Sequence, residues 1–194
     1  FLDGDVFWSF KRSPLTIVAA VTTLVCIVAA VGAGWLAPHN PFDLKTLNLL
    51  DAFTPPAWTE NGKPGYLLGT DDQGRDVLST IMYGSRVSLM VGFFAVILAM
   101  VIGIALGLIS GYVGGKVDAF IMRVADVQLS FPAILIALLI DGVARVALPK
   151  DSHDTLALYV LVLAIAASGW VQYARTVRGS TLVERNKEYV QAAR

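Results

Sequence analysis

Charge-free apolar stretches constrain the fold of this chain more than any other feature. Three of them run over residues 13–42, 87–115 and 155–174. A bilayer core about 30 Å thick needs roughly 20 helical residues, so each of these stretches predicts a transmembrane helix. Hydrophobic residues make up 56% of the sequence and charged residues 15%, which excludes an ordinary soluble domain and a disordered chain.

A fourth stretch, residues 127–140, is short for a transmembrane span. A helix of that length rises only about 21 Å, so a full span requires Arg123 and Arg145 to extend their charges toward the interfaces. A re-entrant helix is the alternative. We favour a span, because otherwise the neighbouring spans would have to be joined from opposite sides. Pro132 is predicted to kink this helix or mark its start.

These spans predict an all-α, polytopic membrane protein. An amphipathic cytoplasmic segment covers residues 1–12, a first span 13–37, an outer loop 38–86 and a transmembrane core 87–194. Helices of the core are expected at about 88–112, 127–147 and 155–174, followed by a cytoplasmic segment at 175–194. The chain starts at Phe1 rather than Met and stops at Arg194 within a predicted helix, so we expect it to be a segment of a longer protein.

Basic residues near the span ends predict the orientation. The zero net charge conceals an uneven distribution between the two sides. Six basic residues, mixed with acids, fall in the loops predicted to face outward. Nine fall on the side predicted to be cytoplasmic, which also holds the N-terminus. These nine are Lys11, Arg12, Lys116, Arg123, Arg175, Arg178, Arg185, Lys187 and Arg194.

The outer loop is rich in Pro and Gly and ends in the sequence GTDDQGRDVLSTIMYGSR, residues 69–86. Thr70 or Asp71 is expected to cap an amphipathic helix that begins near Asp72. Arg75 is expected to pair locally with Asp72 or Asp76, with little energetic effect if the pair is exposed.

Small residues recur every four positions along the second span. Such a stripe lets another helix approach closely in lipid. Packing against a neighbouring span is the favoured interpretation, and a sliding or hinging surface is the alternative. The stripe consists of Ala95, Ala99, Gly103, Gly107, Gly111 and Gly115.

The tail at 175–194 is densely charged but keeps apolar positions. Two short amphipathic helices with a bend at Gly179 would explain this pattern, and such a helix with small Ala residues fits a groove in a partner protein. A disordered, charged tail is the alternative.

No catalytic, cofactor-binding or metal site is predicted in this chain. The run GYVGGKV at 111–117 has the wrong spacing and lacks the Ser or Thr of a phosphate-binding loop. Cys26 is the only cysteine, and His39 and His153 lack ligand-type spacing. Nothing predicts nucleic-acid binding.

Three motifs resemble one family. FWSFKRSPL at 7–15, GTDDQGRDVLSTIMYGSRVSL at 69–89 and EYVQAAR at 188–194 are similar to the C-type permease subunits of bacterial ABC importers for dipeptides, oligopeptides, nickel or glutathione. The external motif of this family corresponds here to Gly69, Thr70, Asp71, Gly74, Arg75 and Asp76. The start of its EAA signature, which docks on the ATPase, corresponds to Glu188, Tyr189, Ala192 and Ala193.

The resemblance implies a type I importer permease fold with six spans, of which four are present here. It also implies a subunit without its own ATPase site, located in the bacterial inner membrane. Its partners would be a second permease, two ATPase subunits that hold ATP and Mg, and an external substrate-binding protein. The implied substrate is a peptide. The alternatives are nickel or glutathione in the same family, or a structural membrane subunit or channel outside it.

Overall fold

The computed structural model describes residues 10–43, 47–147, 149 and 153–192. The predicted amphipathic segment at 1–12 therefore lies largely outside the described residues. The chain forms two compact units, Phe1–Leu89 and Met90–Arg194.

The first unit contains the first candidate span and the loop after it. Helix α1, Pro14–Val31, begins where the Ser13 side chain accepts a hydrogen bond from the Thr16 amide, and Pro14 fits the first helical position. The short helix α2, Ala33–Leu36, follows directly. The loop then contains a 3₁₀ helix at Leu49–Asp51.

The long helix α3, Val77–Val113, starts later than the sequence predicts. We expected a helix beginning near Asp72 with Thr70 or Asp71 as its cap, and this is wrong. Residues 71–75 form a tight turn, so the chain reaches helical conformation only after Asp76. The helix then continues without interruption through the predicted second span.

The second unit is built from the later part of α3 and four further helices. These are α4 at Gly115–Leu129, α5 at Ala133–Ala147, α6 at His153–Arg185 and α7 at Glu188–Ala192. The buried core lies where α3, α4 and α6 meet. It consists of Ala125, Trp170, Val171 and Ala174, with Ile102, Leu106 and Ile121 packed against them.

The predicted third span is not one straight helix. Helices α4 and α5 are bent by 95° at the break between them, where Pro132 has no amide hydrogen to continue the ladder. Instead, the amides of Leu135 and Ile136 donate to the Pro132 carbonyl. Three helices in the described residues are long and apolar enough to cross a membrane, or up to four if the bent pair forms one span.

The predicted bend at Gly179 is also wrong, because α6 runs through that residue to Arg185. A glycine within a helix costs only about 1 kcal/mol relative to alanine, which packing and ion pairs on either side of Gly179 can offset. The break falls instead at residues 186–187, before α7.

Candidate functional site

The external motif folds into a tight turn organised by one carboxylate. Asp71 Oδ1 accepts hydrogen bonds from the Gln73 and Arg75 amides, both at 2.9 Å, and Asp71 Oδ2 accepts one from Arg75 Nε at 2.7 Å. Gly74 has φ 76°, a left-handed conformation that favours glycine. The expected pairing of Arg75 with Asp72 or Asp76 is therefore wrong, because the turn folds Arg75 back onto Asp71.

The hydrogen bonds to Asp71 also set its protonation. Burial alone would raise the pKa of this carboxyl, but the amides of Arg75 and Gln73 and the Arg75 guanidinium lower it overall below its usual value. The charged form that holds the turn is thus favoured at neutral pH.

The last acid of the motif, Asp76, caps helix α3. Its Oδ2 accepts from the Ser79 amide at 2.9 Å, which is the bond expected from an N-cap residue to the third helical position. Ser79 Oγ in turn accepts from the His39 amide at 3.1 Å, so the segment after α2 is tied to the first turn of α3. Asp76 is buried, and Thr70 pairs with it in an isolated antiparallel bridge.

Three glycines of α3 contact α6 directly, and we call this contact the glycine seam. A Cβ added at Gly103 would lie 2.6 Å from the Trp170 carbonyl oxygen. At Gly107 it would lie 2.6 Å from the Ala174 carbonyl oxygen, and at Gly111 3.1 Å from that of Arg178. Ala99 continues the line, because its Cβ is 3.5 Å from the position a Cβ would take on Gly169.

An ion pair that the sequence analysis missed joins α4 to α6. Arg178 Nε lies 2.5 Å from Asp118 Oδ1, and Arg178 Nη2 lies 2.6 Å from Asp118 Oδ2. The Ser110 hydroxyl on α3 donates to the same Oδ1. We call Ser110, Asp118 and Arg178 the three-helix clasp. The two charged residues are 60 positions apart in the sequence, and local spacing gives no signal for such a pair.

Further contacts between α4 and α6 lie near the C-terminal end of α4. Trp170 Nε1 donates to Gln128 Oε1 at 2.7 Å, and Gln128 Nε2 donates to the Ala167 carbonyl. Asp126 on α4 pairs with Arg175 on α6. Within α5, Asp141 pairs with Arg145 four residues later, at 2.7 Å.

Three of the four candidate coupling residues lie on α7 and are exposed. Glu188 and Ala192 are one helical turn apart, and both side chains face solvent. Tyr189 is 65% exposed, and its hydroxyl donates to Glu184 Oε2 at 2.7 Å across the break. Ala193, the fourth predicted coupling residue, lies outside the described residues.

The hydrogen bonds to Glu184 also change the pKa values of Lys187 and Tyr189. The hydrogen bond with Glu184 raises the pKa of the Lys187 ammonium, and the hydrogen bond with Glu184 likewise raises the pKa of the Tyr189 phenol. Lys187 Nζ lies 2.6 Å from Glu184 Oε1. Both oxygens of Glu184 are therefore used to hold the start of α7.

No group of three or more His, Cys, Asp or Glu side chains within the described ranges is arranged to hold a metal ion. The polar side chains described above instead bind one another, and several of these contacts connect neighbouring helices.

Two family models match the chain. The model described as binding-protein-dependent transport system inner membrane component matches residues 103–194, which include the glycine seam, the clasp and α7. The model described as N-terminal TM domain of oligopeptide transport permease C matches residues 4–56. Over these two ranges the chain is similar to binding-protein-dependent transport inner membrane components, and in its N-terminal part to oligopeptide permeases of the C type.

Individual relatives agree with this assignment. The dipeptide transport system permease protein DppC of Escherichia coli is 44% identical over 189 residues, which are 97% of this chain and 59% of that protein. The oligopeptide transport system permease protein OppC of Bacillus subtilis is 33% identical over 97% of this chain and 56% of its own length. The glutathione transport system permease protein GsiD of Shigella flexneri is 37% identical, with the same two coverages. The chain thus spans a little over half the length of these relatives.

Proposed function

We propose that this chain is part of a permease subunit of an ATP-driven importer of peptides. Together with a second permease it would form the translocation path, and an external binding protein would deliver the substrate. ATP and Mg would be held by two partner ATPase subunits rather than by this chain. The observation that carries the proposal is α7, whose exposed Glu188 and Ala192 directly follow the long apolar helix α6.

The geometry of α7 suits a docking element. Its exposed face combines one carboxylate with a small residue, so a groove on a partner can approach the backbone closely at Ala192 while a donor binds Glu188. The bonds from Lys187 and Tyr189 to Glu184 connect the end of α6 to the start of α7. A displacement of α7 by a closing ATPase would then be passed to α6 rather than absorbed at the break.

The peptide substrate is supported by the names of the relatives, because dipeptide and oligopeptide permeases are among the similar proteins. Glutathione is a second candidate, favoured by the 37% identity to a glutathione permease. Glutathione is itself a small peptide, so both candidates require a path that accepts a flexible, zwitterionic or anionic chain.

The test uses the full-length permease assembled with its partners in vesicles. Glu188→Ala and Ala192→Trp should each lower peptide uptake at least tenfold, because they remove the charge and the close approach on which docking relies. ATP hydrolysis should no longer respond to the loaded binding protein. Ala192→Ser, which keeps a small side chain, and Glu60→Ala in the outer loop should leave both activities near the wild-type level. Undiminished uptake in both Glu188→Ala and Ala192→Trp would contradict the proposal.

A further inference from the structure

We propose that Asp118 and Arg178 are positioning residues that make α6 and the corner between α3 and α4 move as one body during coupling. This inference rests on the proposed function and adds to it a route from α7 into the transmembrane helices. It comes from the three-helix clasp, together with a second arginine two helical turns further along α6.

The clasp is placed to fix three helices at one point. Asp118 lies in the first turn of α4, where a negative charge is favoured by the helix dipole. Its two oxygens receive a bidentate Arg178 from α6, and Ser110 of α3 donates to one of them. Bidentate, charge-assisted bonds impose direction as well as attraction, so they restrict rotation of α6 against α4.

The second arginine acts on the same corner. Arg185 Nη1 lies 3.4 Å from the Gly111 carbonyl oxygen, in the last turn of α3. Carbonyls at this end have no partner within their own helix and carry partial negative charge. The chain turns sharply here because Gly114 has φ 72°. Arg178 and Arg185 therefore bind the corner on both sides of its turn, Arg178 at the start of α4 and Arg185 at the end of α3.

The two arginines lie on one uninterrupted stretch of α6, and α7 begins after the break at residues 186–187. No helical break separates Arg178 from Arg185, and Glu188 follows three residues after Arg185. A displacement of α7 that is passed across residues 186–187 by the contacts of Lys187 and Tyr189 with Glu184 reaches the corner through about two turns of uninterrupted helix. Partial burial strengthens the clasp, since the Asp118 side chain is 19% exposed and that of Arg178 is 32% exposed.

The experiment measures how much ATP is hydrolysed per peptide imported, in vesicles that contain the full-length permease with its partners. Asp118→Asn and Arg178→Gln should each raise this ratio at least fivefold, because α7 would move without carrying the corner. The double exchange Asp118→Arg with Arg178→Asp should return the ratio to within about twofold of wild type. A loss that is merely structural would lower hydrolysis and import in proportion and leave the ratio unchanged.

Two controls keep the test decisive. Asp141→Asn breaks a pair of the same type that lies within the single helix α5, and it should leave the ratio unchanged. Arg178→Lys retains the charge needed for assembly but loses the bidentate geometry, so its ratio should rise at least twofold. An unchanged ratio in an assembled Arg178→Lys complex would overturn the inference. Absence of ATP-driven import by the wild-type complex would instead refute the proposed function.

Discussion

At the scale of single residues, Asp71 and Asp76 of the external motif have different structural roles. Asp71 holds a turn through three hydrogen bonds, whereas Asp76 caps α3 through Ser79. From the sequence we expected Thr70 or Asp71 to cap a helix here, whereas the structure has Asp76 in that position. An Asp followed by polar residues suits both an Asx turn and an N-cap, and only the placement of Gly74 in a left-handed turn decides between them.

We predict that Asp76→Ala destabilises the first turn of α3 by about 1 kcal/mol, as the loss of an N-cap typically does. Hydrogen–deuterium exchange of the Ser79 and Thr80 amides, which donate to the side chain and the carbonyl of Asp76, should then be roughly fivefold faster. Asp72→Ala is the matched control, because Asp72 is an exposed acid of the same motif, and exchange should stay unchanged in that variant. Equal exchange in both variants would show that the carboxylate of Asp76 does not cap the helix.

At the scale of elements, apolar length predicted the helices more reliably than their ends and breaks. The spans at 13–37, 88–112 and 155–174 each overlap a long helix. The continuation of α6 through Gly179 could not be predicted, because it depends on contacts with residues 60 or more positions away. The break near Pro132 was predicted, but not its 95° angle, since proline removes a hydrogen bond without fixing a direction.

The glycine seam yields a prediction at this scale. Gly107→Ala should destabilise the protein by about 1–3 kcal/mol, because the new methyl group would lie 2.6 Å from the Ala174 carbonyl oxygen. Thermal unfolding of the purified full-length protein in detergent measures this loss.

Gly92→Ala on the same helix serves as the control for Gly107→Ala. A Cβ at Gly92 meets nothing within 4 Å, so this variant should be stabilised by roughly 0.5–1 kcal/mol through its higher helix propensity. If the two variants melt at the same temperature, backbone contact at Gly107 does not contribute to stability.

At the scale of the whole molecule, the uneven distribution of basic residues predicts an orientation that remains open to test. The N-terminus, the region near Lys116 and the tail after α6 are predicted to be cytoplasmic, and the outer loop is predicted to face the opposite side. The helices themselves carry no such information, since an apolar helix crosses the bilayer equally well in either direction.

Cysteine labelling decides the orientation. In a Cys26→Ala background, Lys63→Cys in right-side-out vesicles should react with a membrane-impermeant maleimide added outside. Lys116→Cys should react only after the vesicles are permeabilised, because its position is exposed but predicted to be cytoplasmic. The reverse pattern would invert the topology.

Under the proposed function, the glycine seam also limits where a substrate would travel. With backbone against backbone at Gly103, Gly107 and Gly111, the interface between α3 and α6 has no width for water or a lipid chain, and none for a peptide. Under the proposed function, a permeating peptide therefore does not pass between α3 and α6 at these glycines. Residues that determine which substrate is admitted should be sought outside this interface.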